Sequence, residues 1–212
     1  MNKLFKSKIL TAIIFFGLGG VIWGGWDLYG GASPADYPLT IFGAILLGVL
    51  GGLGLALPVT RSAAKISKIV GLGLVGSVLG FIAAWLGIYI LSIWSVQILA
   101  LLSLPISFIE FLELDPSLGV AAYWLNFAFA GAFMGLFFAL GLKEKILPMI
   151  LRGFVGFGLV AIIGPILGNI IGNLVNSLFV SYIMTFLIIG VVLGLSLSLK
   201  LSKKEKKGST VQ

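Results

Sequence analysis

Uninterrupted apolar stretches recur six times along the chain, over residues 9–28, 39–59, 69–94, 120–142, 147–172 and 178–199, with polar residues gathered between them. An α-helix rises about 1.5 Å per residue, so a run of roughly 20 residues matches a hydrocarbon core of about 30 Å. The pattern predicts an all-α, polytopic transmembrane helical bundle of six spans. Residues 1–202 would form a single transmembrane domain and 203–212 a basic cytoplasmic tail. Lys3, Lys6 and Lys8 ahead of the first run have the outline of a signal peptide. That run continues to Trp26 and leads into further spans rather than into a polar mature domain, so it is read as a retained first helix.

The polar positions set the expected orientation. Lys and Arg near span ends are retained in the cytoplasm. All 14 fall into four clusters: Lys3, Lys6 and Lys8; Arg61, Lys65 and Lys68; Lys143, Lys145 and Arg152; and Lys200, Lys203, Lys204, Lys206 and Lys207. With six crossings these clusters share one face, which places both termini in the cytoplasm and the protein in the cell's inner membrane as a multi-pass chain. The opposite face carries only acids, Asp27, Asp36, Glu110, Glu113 and Asp115, and Asp27 and Asp36 read as ordinary acids of the first outer loop. Trp26, Tyr29, Tyr37, Tyr89, Trp94, Tyr123, Trp124 and Tyr182 stand near the outer span ends, in the interfacial zone that Trp and Tyr prefer. The net charge of +7 therefore reports topology and attraction to anionic inner-leaflet lipids, and needs no nucleic acid to explain it.

Glycine supplies a second pattern. Each span carries glycines four apart: Gly20 and Gly24, Gly48 and Gly52, Gly76 and Gly80, Gly131 and Gly135, then Gly164, Gly168 and Gly172, and Gly190 and Gly194. Such pairs lie on one helix face and let backbones approach closely, either within the chain or between copies of it. The even-numbered spans end alike, in a GxxxG followed by Leu53, Leu136 or Leu195 and then by a basic cluster. Three tandem two-helix hairpins of the same orientation follow from this, with a pseudosymmetry axis along the membrane normal. The middle hairpin is the longest, and its surplus falls in the outer connection over residues 95–118. The stretch from Val96 to Ile109 is apolar, too short to span and broken by Pro105, which suits an interfacial or re-entrant segment.

Composition narrows the chemistry. With 59% hydrophobic and 10% charged residues, no water-soluble surface could be assembled. The chain has no cysteine and no histidine, which removes thiolate nucleophiles, imidazole bases and the commonest zinc and haem ligands. No nucleophile elbow, P-loop or metal-ligand spacing is present. The expectation is a protein that is not an enzyme, with no cofactor and no metal.

The candidate solute contacts are amides. Gly164 and Pro165 should kink the fifth span, and Asn169, Asn173 and Asn176 follow at i, i+4 and i+7. A polar stripe after a broken helix is how some transporters coordinate solutes; the same residues also serve as the turn into the sixth span. Asn126 in the fourth span is the other strongly polar candidate, with a helix–helix hydrogen bond as its plainer use. Glu110, Glu113 and Asp115 form an outer acidic cluster, either concentrating cations at an entrance or ending an interfacial helix in solvent.

Two function classes follow. The first is transport, as a solute facilitator or as the membrane-embedded solute-binding subunit of a transporter with an ATPase or other membrane partner. In length and topology the chain is similar in outline to the substrate-binding components of energy-coupling-factor vitamin transporters. Its threefold hairpin layout looks like that of mitochondrial carriers, whose acidic-basic proline signature is missing here. The second class is a non-catalytic structural or assembly protein that packs against other membrane helices. Transport requires a water-accessible cavity near the bundle axis lined by Asn126 or the asparagine stripe; a closed axis with locally capped amides favours the structural class.

Overall fold

The computed structural model describes residues 3–29, 41–101 and 116–199, with side-chain surroundings for 9–29, 41–84, 86 and 127–199. One helix forms on each apolar run: α1 (Lys3–Tyr29), α2 (Ile41–Ala56), α3 (Ala63–Leu101), α4 (Pro116–Leu142), α5 (Ile146–Leu174) and α6 (Leu178–Ser198). Among the described residues there is no strand. Four stretches are long and apolar enough to cross a membrane, Ile9–Tyr29, Ala63–Ala84, Ile146–Leu174 and Leu178–Ser198. Ile41–Ala56 is a shorter apolar helix, and Phe127–Leu142 is the apolar part of the 27-residue α4 for which side-chain surroundings are described.

Two boundaries depart from the apolar pattern. The three N-terminal lysines are helical and extend α1 rather than precede it. The 39-residue α3 continues through Leu101, so Val96 to Leu101 belongs to this helix and not to a separate interfacial or re-entrant segment. The physical reason is the lack of any breaker: neither Gly nor Pro occurs between Ile88 and Leu104. The remainder of that segment lies outside the described residues, as does the basic tail.

Each helix packs on its sequence neighbours, and α6 returns to pack on α1, so the six close into a ring. Every seam is antiparallel. In the last one, Gly20 meets the backbone of Phe186 while Gly194 meets that of Ala12. The start of α1, the α2–α3 and α4–α5 connections and the end of α6 therefore share one end of the bundle. The described basic residues Arg61, Lys65, Lys68, Lys143, Lys145 and Arg152 are all at that end.

Outward and inward faces are both apolar and differ in size and shape of residue. On α1 the exposed positions are Leu10, Ile14, Leu18, Ile22 and Trp26, each four apart, and the buried ones include Ala12, Phe16, Gly20 and Trp23. The exposed side of α5 is similarly built of Leu147, Leu151, Val155, Leu159 and Ile166. In water so large an apolar surface would aggregate; against lipid tails it is the solvated side. With apolar solvent outside, burial of apolar area gives no preference for helix association, and close packing has to supply it.

Glycine makes that packing possible. A methyl group on Gly48 would lie 2.7 Å from the Leu74 Cα, and one on Gly52 would lie 2.8 Å from the Val70 Cα. Gly131 and Gly153 face each other backbone to backbone, and Gly135 meets the Met149 carbonyl. Gly190 meets the Phe16 carbonyl, and a methyl group on Gly194 would stand 2.8 Å from that of Ala12. In all three cases an even-numbered helix sets its two glycines against residues four apart on the next odd-numbered helix: Leu74 and Val70, Gly153 and Met149, Phe16 and Ala12. Side-chain hydrogen bonds add to two seams. Ser77 donates to the Ala44 carbonyl (2.6 Å) between α3 and α2, and Ser196 to the Arg152 carbonyl (2.7 Å) between α6 and α5.

Gly153→Val should therefore separate α4 from α5 and lower stability by about 1–3 kcal/mol, the usual cost of overpacking. Gly71 has open space around its Cα. Gly71→Ala should be neutral or gain roughly 0.5–1 kcal/mol from helix propensity. Denaturation midpoints of the two variants in one mild detergent compare them directly, and equal midpoints would show that the α4–α5 seam is not tightly packed.

Candidate functional site

The site expected from the sequence divides. Asn169 lies on α5 with its side chain exposed, and its Oδ1 accepts a 2.7 Å hydrogen bond from the Ser181 hydroxyl of α6. Ser181 is itself buried, and its carbonyl accepts from the Thr185 hydroxyl (2.9 Å). Gly168 and Gly172 give these hydroxyl residues room: Gly168 stands beside Thr185 and Gly172 beside Ser181. The Asn169 amide thus clips the α5–α6 seam from its outer side.

Asn173 occupies the last turn of α5, and Asn176 lies beyond the helix with φ 52°. The three amides therefore do not share one helix face: α5 stops at Leu174, and the residues after it form the turn into α6 that the sequence also offered. The stop is a Schellman turn. The Ser177 N–H bonds to the Gly172 carbonyl (2.9 Å), and the Asn176 N–H to the Asn173 carbonyl (3.2 Å). Asn is among the few residues that tolerate the left-handed conformation this turn demands. Ser177 then caps α6, its hydroxyl accepting from the Val180 N–H at 3.3 Å. The same device closes α4 at the basic end, where Lys143 has φ 56° and the Glu144 N–H reaches the Ala139 carbonyl (3.0 Å). Asn126 falls within α4, and its side chain lies outside the described residues, as do Asp36 and the cluster Glu110, Glu113 and Asp115.

Inside the ring, aromatic side chains meet across the axis. Phe16 of α1 stands edge-on to Phe138 of α4 at 6.1 Å, two helices that face each other across the ring. Trp23 of α1 meets Phe81 of α3 at 5.8 Å, and Phe81 meets Phe157 of α5 at 5.9 Å. Phe127 of α4 closes on Phe157 at 4.9 Å, and Trp23 on Phe186 of α6 at 4.6 Å. Leu47, Met134 and Leu193 fill the layers between, all fully buried. Edge-to-face geometry suits ring pairs at these separations and adds to dispersion. None of these rings was singled out from the sequence, because spans apolar on every side carry no amphipathic signal that separates inward from outward.

At the end away from the basic clusters, polar groups are enclosed beside this aromatic layer. Asp27 is buried within α1 (4% exposed), which corrects its assignment to a loop. It falls on the inward face because it follows Trp23 by four residues, one helical turn. Tyr182, expected at the interface, is 1% exposed, and its ring packs on Phe186 at 5.0 Å. Trp26 and Tyr29 do stand outside, at 56% and 90% exposed. The α1–α6 register sets Gly24 against the Phe186 ring and Gly25 against Ile183. Asp27 and Tyr182 thus come at the same level of one seam. Trp23 is fully buried over Gly43 of α2, and its indole N–H has no hydrogen-bond partner among the described residues. Among the described residues no group of three acids could hold a metal ion.

An all-helical bundle with four apolar helices of membrane-crossing length defines the class, a membrane-embedded helical protein. The chain matches no protein-family model, no curated protein and no solved structure.

Replacing Asn176 by Gly should leave stability unchanged, whereas Asn176→Val should cost roughly 1–2 kcal/mol, the left-handed penalty for a residue with a bulky Cβ. Asn169→Ala should cost only about 0.6 kcal/mol, a typical interhelical hydrogen bond within a membrane. The three unfolding midpoints give the test; an intolerant Asn176→Gly would mean that the amide itself, and not its backbone, is what the turn uses.

Proposed function

We propose that the protein is a six-crossing, non-catalytic structural or assembly component of the inner membrane, with both termini in the cytoplasm. The carrying observation is the filled axis, where Phe16 meets Phe138 and Phe81 meets Phe157 from helices that are not ring neighbours. A facilitator needs a wetted path, and the described asparagine amides are exposed rather than turned into the axis. Six crossings are supported by the antiparallel ring, in which α2 and α4 hold the same places between neighbours as the other four helices. The equivalent glycine contacts of α2 on α3, α4 on α5 and α6 on α1 support three tandem hairpins. Basic residues at one end support a cytoplasmic face that rests on anionic lipid, about 1 kcal/mol for each Lys or Arg near the surface. Because the paired glycines are used inside the chain, partner helices would meet the outer faces, where the exposed Asn169 amide gives α5 a polar contact. Transport as a solute-binding subunit, with an ATPase or other membrane partner, is the second reading, and the enclosed Asp27 and Tyr182 favour it.

Two measurements test these proposals. The chain contains no cysteine, so it is its own background for single-cysteine labelling. In intact cells an impermeant maleimide should label Asn176→Cys and spare Thr60→Cys and Lys143→Cys; labelling of all three, or of the last two alone, would overturn the orientation. Native mass after extraction in mild detergent should show a stoichiometric membrane partner, and vesicles holding the protein alone should pass small solutes no faster than empty ones. A lone chain that speeds solute entry would replace the structural reading with a facilitator.

A further inference from the structure

The described cations at the basic end of the bundle do not share one environment. Arg61, Lys65, Lys68, Lys143 and Lys145 are exposed. Arg152 is half-buried and lies inside the apolar run, about 10 Å along the helix from Lys145 at 1.5 Å per residue. A guanidinium presents five N–H donors in a planar fork and accepts nothing. Here the Nε is enclosed with no hydrogen-bond partner, and an Nη reaches the Met149 sulfur at 3.5 Å, a weak acceptor. Glu144, the one acid among the described residues of this end, attracts the guanidinium through its charge but makes no ion pair with it. A charged donor set within an apolar segment calls for stronger acceptors than a thioether.

The surroundings say where those acceptors come from. Leu151, Val155 and Leu159 are exposed on the outer side of α5, and Arg152 borders this ridge, three residues before Val155 and seven before Leu159. Its backbone is held at a set depth by α6, since the Ser196 hydroxyl donates to the Arg152 carbonyl at 2.7 Å. Lys145 stands seven residues earlier, two turns nearer the water on the same side of the helix. A soluble anion gains nothing by entering beside apolar side chains, whereas a phospholipid brings a phosphate to the interface and acyl chains to the ridge. A guanidinium matches two phosphate oxygens in parallel. The quaternary amine of a zwitterionic head group would be repelled by Lys143 and Lys145, so an anionic head group is the better match.

We propose that Arg152, flanked by Lys145, holds the phosphate of one anionic phospholipid of the cytoplasmic leaflet, with its acyl chains along Leu151, Val155 and Leu159. The proposal rests on the reading of the basic end as a cytoplasmic face on anionic lipid, and sharpens it. A general attraction enriches such lipid around the whole end, whereas this site selects it at α5 alone.

The chain has no cysteine, so one fluorophore can be placed by Val155→Cys beside the site and, in a second protein, by Leu10→Cys on the exposed side of α1 at the same end. Each labelled full chain is put into vesicles of phosphatidylcholine with a fixed minor fraction of phosphatidylglycerol. Either one lipid or the other carries brominated acyl chains, which quench a nearby fluorophore while the surface charge stays the same. The preference for phosphatidylglycerol should be about fivefold greater at position 155 than at position 10, the usual worth of one Lys or Arg against anionic lipid. Arg152→Gln should bring position 155 down to the level of position 10; the comparison of the two reporters with Arg152 in place carries the main result, so poor folding of that variant would not affect it. Equal preference at both positions overturns the site and leaves the general attraction standing, and no preference at either overturns both. Displacement of phosphatidylglycerol from position 155 by inorganic phosphate at constant ionic strength would assign the site to a soluble anion and overturn the proposal. So would a preference that appears only in Glu205→Gln, since the tail acid, which lies outside the described residues, would then be the partner of Arg152.

Discussion

Helices already dissolved in lipid gain nothing by hiding apolar surface from water, so their association rests on how closely their backbones can approach. In this protein that constraint falls on glycine. The Gly131–Gly153 contact and the seating of Gly190 on Phe16 bring main chains to distances at which any Cβ would collide. Dispersion between so many atoms at contact is small for each pair and large in sum. The hydroxyls of Ser77, Ser181 and Ser196 bridge helices only because the backbones are already near.

Close seams alone would leave a ring of six helices with an empty centre. Large rings on the inner faces answer this: small residues sit where backbones meet, and aromatic rings fill the centre, some across the axis as Phe16 on Phe138 and some between neighbours as Phe127 on Phe157. Phe16 shows how one residue serves both. Its carbonyl lies against Gly190 of α6 and its ring fills the space beside Gly51 of α2, while reaching Phe138 on the far side. The same packing that stabilises the bundle thereby blocks it, so stability and closure are a single property in the described part of this chain.

What could be read from the chain followed what lipid makes visible. Helix number and position showed in the apolar runs, and the shared end of the described basic residues in their clustering, because both reflect exchange between water and hydrocarbon. The inward faces did not show, since Phe81 and Leu79 look alike to a hydropathy scale although one is buried and the other exposed. Asp27 was misplaced for a related reason. An acid near a span end reads as solvated, and only its spacing of four residues from Trp23 and seven from Gly20, on the face that meets α6, marks it as inward. Asn176 lay where the alternatives met, and its turn was decided by main-chain hydrogen bonds that residue type alone leaves open.

Ring closure imposes its own order. The seam of α6 on α1 joins the first helix to the last, and it matches in kind the seams of α2 on α3 and α4 on α5, which form between helices adjacent in the chain. Until α6 is present, the face of α1 bearing Gly20, Gly24 and Asp27 has no α6 against it, and the Trp23 ring lacks its contact with Phe186. Closing contacts of such long sequence separation carries the larger loss of chain entropy. The polar pair Asp27 and Tyr182 is divided between these same two helices. Asp27 lies on the same face of α1 as Gly20 and Gly24, so the seam that covers it joins the first helix to the last.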